Sequence, residues 1–455
     1  MDPGSSAAQV AATIHERSAR GIAAAVSRMA SSGELAPGTR LPTVRALAGA
    51  LGTSPTTVSE AWRQLARVGV IESRGRSGTF VAGRTHHGGP RRYRRMAEHP
   101  PPFRLDLSTG TPDPALLPDL HGPLSRVQRS VLTTSYLDRP VLPDLERRLL
   151  AALPFRPEAL TVVDGALDGL DRVATLAVRL GDRVLVENPA FPPTLDLLDL
   201  LGAEVVPLAL DDEGIVPSAL ASALALRPVA LFLQPRSHNP TGVSMSAQRA
   251  RALSKVLKGH DVLVVEDDHS GAISSSPDVS LGTWLSGQTV HITSFSKSHG
   301  PDLRLASVAG PADVVDELVD RRTLGPGWSS RVLQAVLLDL LTDPEAVTAI
   351  ERARAVYADR RRRITSVLDR LGVGYTGADG INLWVATPDE QATLVGLAAQ
   401  GIAGAPGSPF VVAPDGTDHV RLTVGVVVDD HARLASQIAG AIPASGRARG
   451  RRTVR

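Results

Sequence analysis

Apolar positions fall into two regimes along this chain. Between about Thr13 and Ser32, Ile22, Val26 and Met29 recur at helical spacing on one face, and Gly33 ends the pattern. Leu41-Pro42-Thr43 opens a second, short helix bearing Val44, Leu47, Ala48 and Leu51, and Gly52-Thr53-Ser54 is a tight turn. Ser54 suits an N-cap and Pro55 the first helical position of a third helix, which buries Val58, Trp62 and Leu65. Val70-Ile71-Glu72-Ser73 and Gly78-Thr79-Phe80-Val81 are short strands joined by Arg74-Gly75-Arg76-Ser77. The pattern predicts a helix–turn–helix with a β-wing over residues 13–82, after a small, polar and disordered start at residues 1–12.

Residues 83–103 read as a linker, with Gly88-Gly89-Pro90, four arginines around Tyr93, and Pro100-Pro101-Pro102. The second regime follows. Apolar runs at Leu160–Val163, Arg183–Glu187, Glu204–Leu208, Ala230–Gln234, Val262–Glu266 and Thr289–Ser294 alternate with helical stretches. That alternation predicts an α/β domain, residues 104–442, with a mostly parallel sheet and helices on both faces. A long helix is expected over Ser330–Leu371, and a smaller α/β subdomain at about 345–442 closes the domain ahead of an Arg-rich tail, 443–455.

Composition narrows the function. The chain has no cysteine, which removes disulfide and thiolate chemistry and fits a reducing compartment. No signal peptide or apolar run of the ~20 residues a membrane span needs is evident, so a cytoplasmic protein is expected. Charge is uneven. Residues 1–82 hold nine arginines and five acids, residues 83–103 five arginines and one acid, and the last eleven residues five arginines and no acid. The middle, residues 104–444, holds 30 basic and 41 acidic side chains. Basic ends on an acidic middle point to a polyanion, double-stranded DNA in this context.

The string from Gly33 to Arg45, the run from Leu47-Ala48 to Thr57-Val58 and the wing ending Gly78-Thr79-Phe80-Val81 resemble the GntR-type winged helix. The exposed face of the third helix then presents Thr56, Thr57, Ser59, Glu60 and Arg63 to base edges or phosphates. Arg40, Arg45, Arg74 and Arg76 supply phosphate contacts.

Lys297 is one of three lysines in a chain with 46 arginines. It lies in Ser294-Phe295-Ser296-Lys297-Ser298-His299-Gly300-Pro301-Asp302-Leu303-Arg304. A primary amine can form a Schiff base with an aldehyde, while the hydroxyls and Arg304 grip a phosphate, a combination suited to pyridoxal phosphate (PLP). Asp164-Gly165-Ala166-Leu167 turns from a strand into a helix start, where backbone N–H groups bind phosphate. Glu187-Asn188-Pro189-Ala190-Phe191-Pro192, Ser237-His238-Asn239-Pro240-Thr241-Gly242, Glu266-Asp267-Asp268 and Arg421-Leu422-Thr423 complete an ordered series.

That series resembles fold-type I PLP-dependent aminotransferases, and the order of modules resembles the MocR group, in which a GntR winged helix precedes such a domain. The resemblance implies that Lys297 is the Schiff-base lysine. It further implies that Phe191 stacks on the ring, that Asn239 bonds the ring O3′ oxygen and that Asp267 faces the pyridine nitrogen. Gly165, Ala166, Leu167, Ser294, Ser296 and Arg304 hold the phosphate by the same likeness, and Arg421 takes a substrate carboxylate. Tyr136, in Ser135-Tyr136-Leu137-Asp138, matches a tyrosine that reaches the neighbouring subunit's phosphate, which implies a homodimer. One position departs: where the family has a tyrosine two residues after Asp267, this chain has His269. His269 can donate a similar bond to O3′, and it is expected to titrate near neutrality. No residue set is assigned to a metal.

The function expected is a PLP-binding transcriptional regulator that senses PLP or an amino compound through an aldimine at Lys297. Two alternatives stand beside it: a catalytically active aminotransferase carrying a DNA-binding domain, and a DNA-binding dimer with a degenerate PLP pocket.

Overall fold

The computed structural model describes residues 7–32, 34–67, 70–82, 92–93, 103–127 and 135–443. Most of the predicted linker, Arg92, Tyr93 and Phe103 apart, and the Arg-rich tail beyond Pro443 lie outside the described residues. The chain forms two compact units.

The N-terminal unit holds helices α1 (Ala7–Ala12), α2 (Ala19–Ser32), α3 (Val44–Leu51) and α4 (Pro55–Arg67), then strands β1 (Ile71–Ser73) and β2 (Thr79–Val81). Ile22, Val26, Met29, Leu47, Leu51, Val58, Trp62 and Leu65 form its core, as the helical spacing requires. The hydroxyl of Thr43 caps α3 by accepting from Ala46 N at 3.2 Å, and that of Ser54 caps α4 by accepting from Thr57 N at 3.1 Å. β1 and β2 pair antiparallel as the wing, Glu72 opposite Phe80. The disordered start is corrected in part: Ala7–Ala12 is helical, because burying Val10 in this core offsets the cost of ordering a short helix.

The larger unit is built on strands β3 (Leu105–Asp106), β4 (Ala159–Val163), β5 (Arg183–Asn188), β6 (Glu204–Asp211), β7 (Gly214–Ile215), β8 (Ala230–Leu233), β9 (Leu263–Asp268), β10 (Thr289–Ser294) and β11 (Ala306–Gly310). All but β3 make one eight-stranded sheet in the order β4-β11-β10-β9-β8-β5-β6-β7. β9 runs parallel to β8 and β10, whereas β11 runs antiparallel to β10 and β4. Every residue of β8 is buried, and the helices Pro217–Leu224 and Ala247–Leu257 share a core with Leu231, Leu233 and Val264. Helix Ala166–Ala177 packs on β4, β9, β10 and β11. Near-continuous apolar strands are what a sheet covered on both faces demands.

The small subdomain is a four-stranded sheet of β12 (Tyr375–Thr376), β13 (Asn382–Thr387), β16 (Asp418–Thr423) and β15 (Ala405–Pro406). β3 does not join the large sheet. It pairs in parallel with β14 (Ile402–Ala403), and Leu107 is buried in the small subdomain's core. The single helix expected over Ser330–Leu371 is corrected to two, Arg331–Thr342 and Pro344–Arg370. Pro344 lacks an N–H and drives the preceding residue out of helical geometry. Asp343 is accordingly extended, and its carboxylate caps the second helix at Glu345 N, 2.8 Å away.

Candidate functional site

The site lies at the C-terminal ends of the strands, where open α/β sheets bind ligands. Register brings the first group of residues together. Ala306 on β11 stands opposite Val163 at the end of β4 and Ser294 at the end of β10. Arg304, just before β11, therefore reaches the β4 turn, where its Nη2 donates to Asp164 O at 3.0 Å. Gly165 follows at φ +98°, a conformation that favours glycine, and a Cβ there would lie 2.6 Å from Arg304 Nη2, so a side chain would push the guanidinium aside. Ala166 and Leu167 open the next helix, whose first-turn amides have no acceptor within it. The hydroxyl of Ser294 accepts from Ser296 N at 3.3 Å. Gly165, Ala166, Leu167, Ser294, Ser296 and Arg304 thus cluster at three adjacent strand ends.

The second group surrounds Asp267 near the end of β9. Its Oδ2 accepts from Gln234 Nε2 at 2.8 Å. Its Oδ1 is buried and has no hydrogen-bond partner among the described residues. Burial pushes this carboxyl up to about 6, against the pull of the Gln234 bond. Asp267, Gln234, Thr194 and the half-buried Phe191 line one cavity. Asn239 N donates to Gln234 Oε1 at 2.8 Å, so Gln234 links two predicted residues. The adjacent carboxylate, Asp268, is spent otherwise: Arg236 grips it with bonds of 3.0 and 2.6 Å. Asp278 and His291 also approach Asp268, and Arg236, 3.5 Å from Asp278, is the cation resident among these acids.

The third group is a pair of cations joined by one loop. Lys297 Nζ donates to Gly110 O at 2.6 Å. Arg421 Nη2 donates to Ser108 O. Gly110, at φ +66°, leaves only 3.2 Å between an added Cβ and Arg421 Nη1, so a side chain would crowd the guanidinium. Arg421 packs over the Phe410 ring at 5.4 Å, and its buried Nε has no partner among the described residues. Burial lowers Lys297 to about 8, helped by the Arg421 charge and opposed by Asp267. Burial likewise lowers Arg421 to about 10.

His269 corrects an expectation. Burial first, and then the charge of Lys297, lower it to about 4 rather than leaving it near neutrality. Its Nε2 lies 2.9 Å from Ser237 O, so the neutral ring donates to that carbonyl. Tyr136 stands apart from these groups; it is 90% exposed, with its ring 5.9 Å from that of Trp328.

On the winged helix, the hydroxyls of Thr56 and Thr57 lie 2.7 and 2.8 Å from Ser54 Oγ. Ser59 is half-buried and Arg45 exposed. Arg63 is exposed and pairs with Glu60 at 2.6 Å. Arg74 bonds Glu72 at 2.9 Å and lies 4.8 Å from the Phe80 ring centroid. Arg40 bridges to Phe80 across the wing. The Arg76 side chain lies outside the described residues. Sequence reasoning missed Gln234 as a site residue, although a glutamine closing an apolar run was the available signal.

Residues 18–81 match the family model of the gntR family of bacterial regulatory proteins, and residues 104–438 that of aminotransferase class I and II. The latter family is normally PLP-dependent. The chain is 35% identical over 395 residues to the vitamin B6 salvage pathway transcriptional repressor PtsJ of Salmonella typhimurium, covering 86% of this chain and 90% of that protein. It is 26% identical over 464 residues to the probable rhizopine catabolism regulatory protein MocR of Rhizobium meliloti, covering 90% and 93%. The fold is similar to that of LysN, the alpha-aminoadipate aminotransferase of Thermus thermophilus, with a TM-score of 0.69 and 22% identity over 78% of this chain and 94% of that one. With a GntR helix–turn–helix domain ahead of an aminotransferase domain that spans most of its length, the chain belongs to the MocR-type transcriptional regulators.

Proposed function

We propose that the aminotransferase-like domain binds PLP at Lys297, and that occupancy by PLP, or by an amino compound exchanging onto it, sets the affinity of the winged helix for a DNA operator. The observation that carries this reading is Asp267 Oδ1, a buried carboxylate oxygen without a hydrogen-bond partner among the described residues, in a residue that lines the same cavity as Phe191. A protonated pyridine nitrogen is the donor such an oxygen needs. The donor set around it suits the rest of the molecule. Arg304, Ser294, Ser296 and the amides from Gly165 to Leu167 take the phosphate, and Asn239 donates to the ring oxygen. Phe191 stacks on the ring. Bound there, PLP supplies an aldehyde that condenses with a primary amine and a ring that withdraws electrons. Arg421 offers its guanidinium to a ligand carboxylate.

Regulation requires unequal binding to two conformations of the protein. Lys297 and Arg421 hold the carbonyls of Gly110 and Ser108, just beyond β3 and the linker. A ligand that engages both cations competes with that loop. We take residues 13–82 as the DNA-binding domain, 83–103 as the linker and 104–442 as the ligand-binding domain, in a cytoplasmic homodimer whose exposed Tyr136 reaches the second copy's phosphate site. Arg40, Arg45, Arg74 and Arg76 serve as phosphate contacts, and Thr56, Thr57, Ser59 and Arg63 face the groove. Transamination is the second reading, favoured by Arg421 Nε, which has no hydrogen-bond partner among the described residues.

The test is the visible spectrum of the protein with PLP, beside operator binding. Wild type should gain an absorption band and change its operator affinity. Lys297→Ala should lose both while keeping basal operator binding. A wild type without the band, or a variant with an unchanged ligand response, overturns the proposal. Repeated turnover of an amino acid with a keto acid would instead support the enzyme.

A further inference from the structure

Two neighbouring carboxylates, Asp267 and Asp268, are both buried near the end of β9, yet they are held differently. Asp268 is neutralised by a guanidinium that takes both of its oxygens. Among the described residues, the Asp267 carboxylate receives one hydrogen bond, from the neutral amide of Gln234, at 2.8 Å. We infer that Gln234 is the positioning residue that holds Asp267 and Asn239 to receive the PLP ring while leaving the charge of Asp267 free for the ring nitrogen. The inference rests on PLP occupancy of the site.

The amide orientation follows from its partners. A carboxylate only accepts, so the nitrogen must face Asp267; the backbone N–H of Asn239 only donates, so the oxygen must face Asn239, at 2.8 Å. The backbone of Gln234 is held in turn, its N–H donating to Glu187 Oε2 at 2.8 Å. Glu187, Gln234, Asn239 and Asp267 are all buried, so these bonds are little weakened by water. Through its side chain and its backbone N–H together, Gln234 therefore ties together the ends of β5, β8 and β9.

The choice of amide matters chemically. Lysine or arginine at this place would hold Asp267 equally well but would neutralise it, as Arg236 does Asp268. Leucine would fill the space and leave a buried carboxylate with no donor, favouring its protonated form. Glutamine supplies direction without charge. Oδ2 is anchored, and Oδ1 stays available with a fixed orientation.

The experiment compares full-length wild type, Gln234→Leu and Gln234→Glu by PLP titration, with PLP isotope-labelled at the ring nitrogen so that its chemical shift reports ring protonation. Thermal unfolding checks that each variant folds. Gln234→Leu should bind PLP roughly tenfold to a hundredfold more weakly, the range expected for losing a hydrogen bond to a charged group. Its ring-nitrogen shift should move toward the unprotonated value. Gln234→Glu is nearly isosteric and keeps the acceptor for Asn239 N. It donates to Asp267 only while the two carboxyls share a proton. Its affinity relative to wild type should therefore fall as pH rises from about 6 to about 9. Wild-type ring shifts in both variants, with affinities within about twofold, would overturn the inference. So would a Gln234→Glu variant equal to wild type at every pH. A wild type that takes up no PLP fails before any variant is compared and overturns the proposed function as well.

Discussion

Lys297 and Asp267 are shifted in opposite directions by one cause, because burial disfavours the charged form of each. The lysine falls from 10.5 to about 8 and the aspartic acid rises from 3.8 to about 6. Only the unprotonated amine attacks an aldehyde. At pH 7 roughly a tenth of Lys297 is in that form, against less than about a thousandth of an ordinary lysine. The rate at which the PLP band develops should therefore rise with pH and level off above about 8. Arg421→Leu removes a repelling charge and should move the break upward. A stopped-flow pH series checks both, and a wild-type break near 10.5, the ordinary lysine value, would contradict the environment assigned to Lys297. His269, at about 4, contributes no break of its own near neutrality.

At the scale of elements, the site depends on how strand ends and one loop meet. Thr423 N donates to Leu107 O at 2.7 Å, and Thr423 Oγ1 accepts from Gly110 N at 2.8 Å. The loop from Leu107 to Gly110 is thus tied to β16 as well as to the two cations. PLP with a carboxylate ligand should draw Lys297 and Arg421 away from Gly110 O and Ser108 O. Amide exchange across residues 105–111 should then change on ligand addition, by about tenfold in rate for each 1.4 kcal/mol of altered local opening. Hydrogen-exchange mass spectrometry reads this directly. Lys297→Ala should show altered exchange at Gly110 before ligand is added, and identical profiles in all samples would exclude the competition.

At the scale of the whole molecule, charge separates the two tasks. The arginines of residues 1–82 lie in the unit that meets DNA, and the acidic excess lies in residues 104–444. Arg63→Ala should weaken operator binding by about 1–3 kcal/mol if the guanidinium touches a base, while the PLP spectrum stays unchanged. Arg45→Ala, exposed at the start of α3, should weaken all DNA sequences alike and lower the salt slope by about 0.9. Fluorescence anisotropy over a salt series distinguishes the two. Equal effects of both variants on cognate and random DNA would deny Arg63 a role in reading sequence.

Much of the architecture was legible along the chain because its signals are local. The 3.6-residue spacing of Ile22, Val26 and Met29, the caps Thr43 and Ser54, and the apolar runs of β4, β8 and β10 depend on near neighbours. The Asp343-Pro344 break was also local, and a long apolar period concealed it. The motif residues Lys297, Asp267, Asn239, Phe191 and Arg421 were legible as types in an order. Their company came from folding: Gln234 between Asp267 and Asn239, Arg236 on Asp268, and the loop carbonyls on Lys297 and Arg421. It also decided that His269 is held neutral. Hydrogen bonding and desolvation depend on which distant segments share a buried volume, and periodicity along the chain carries no record of that.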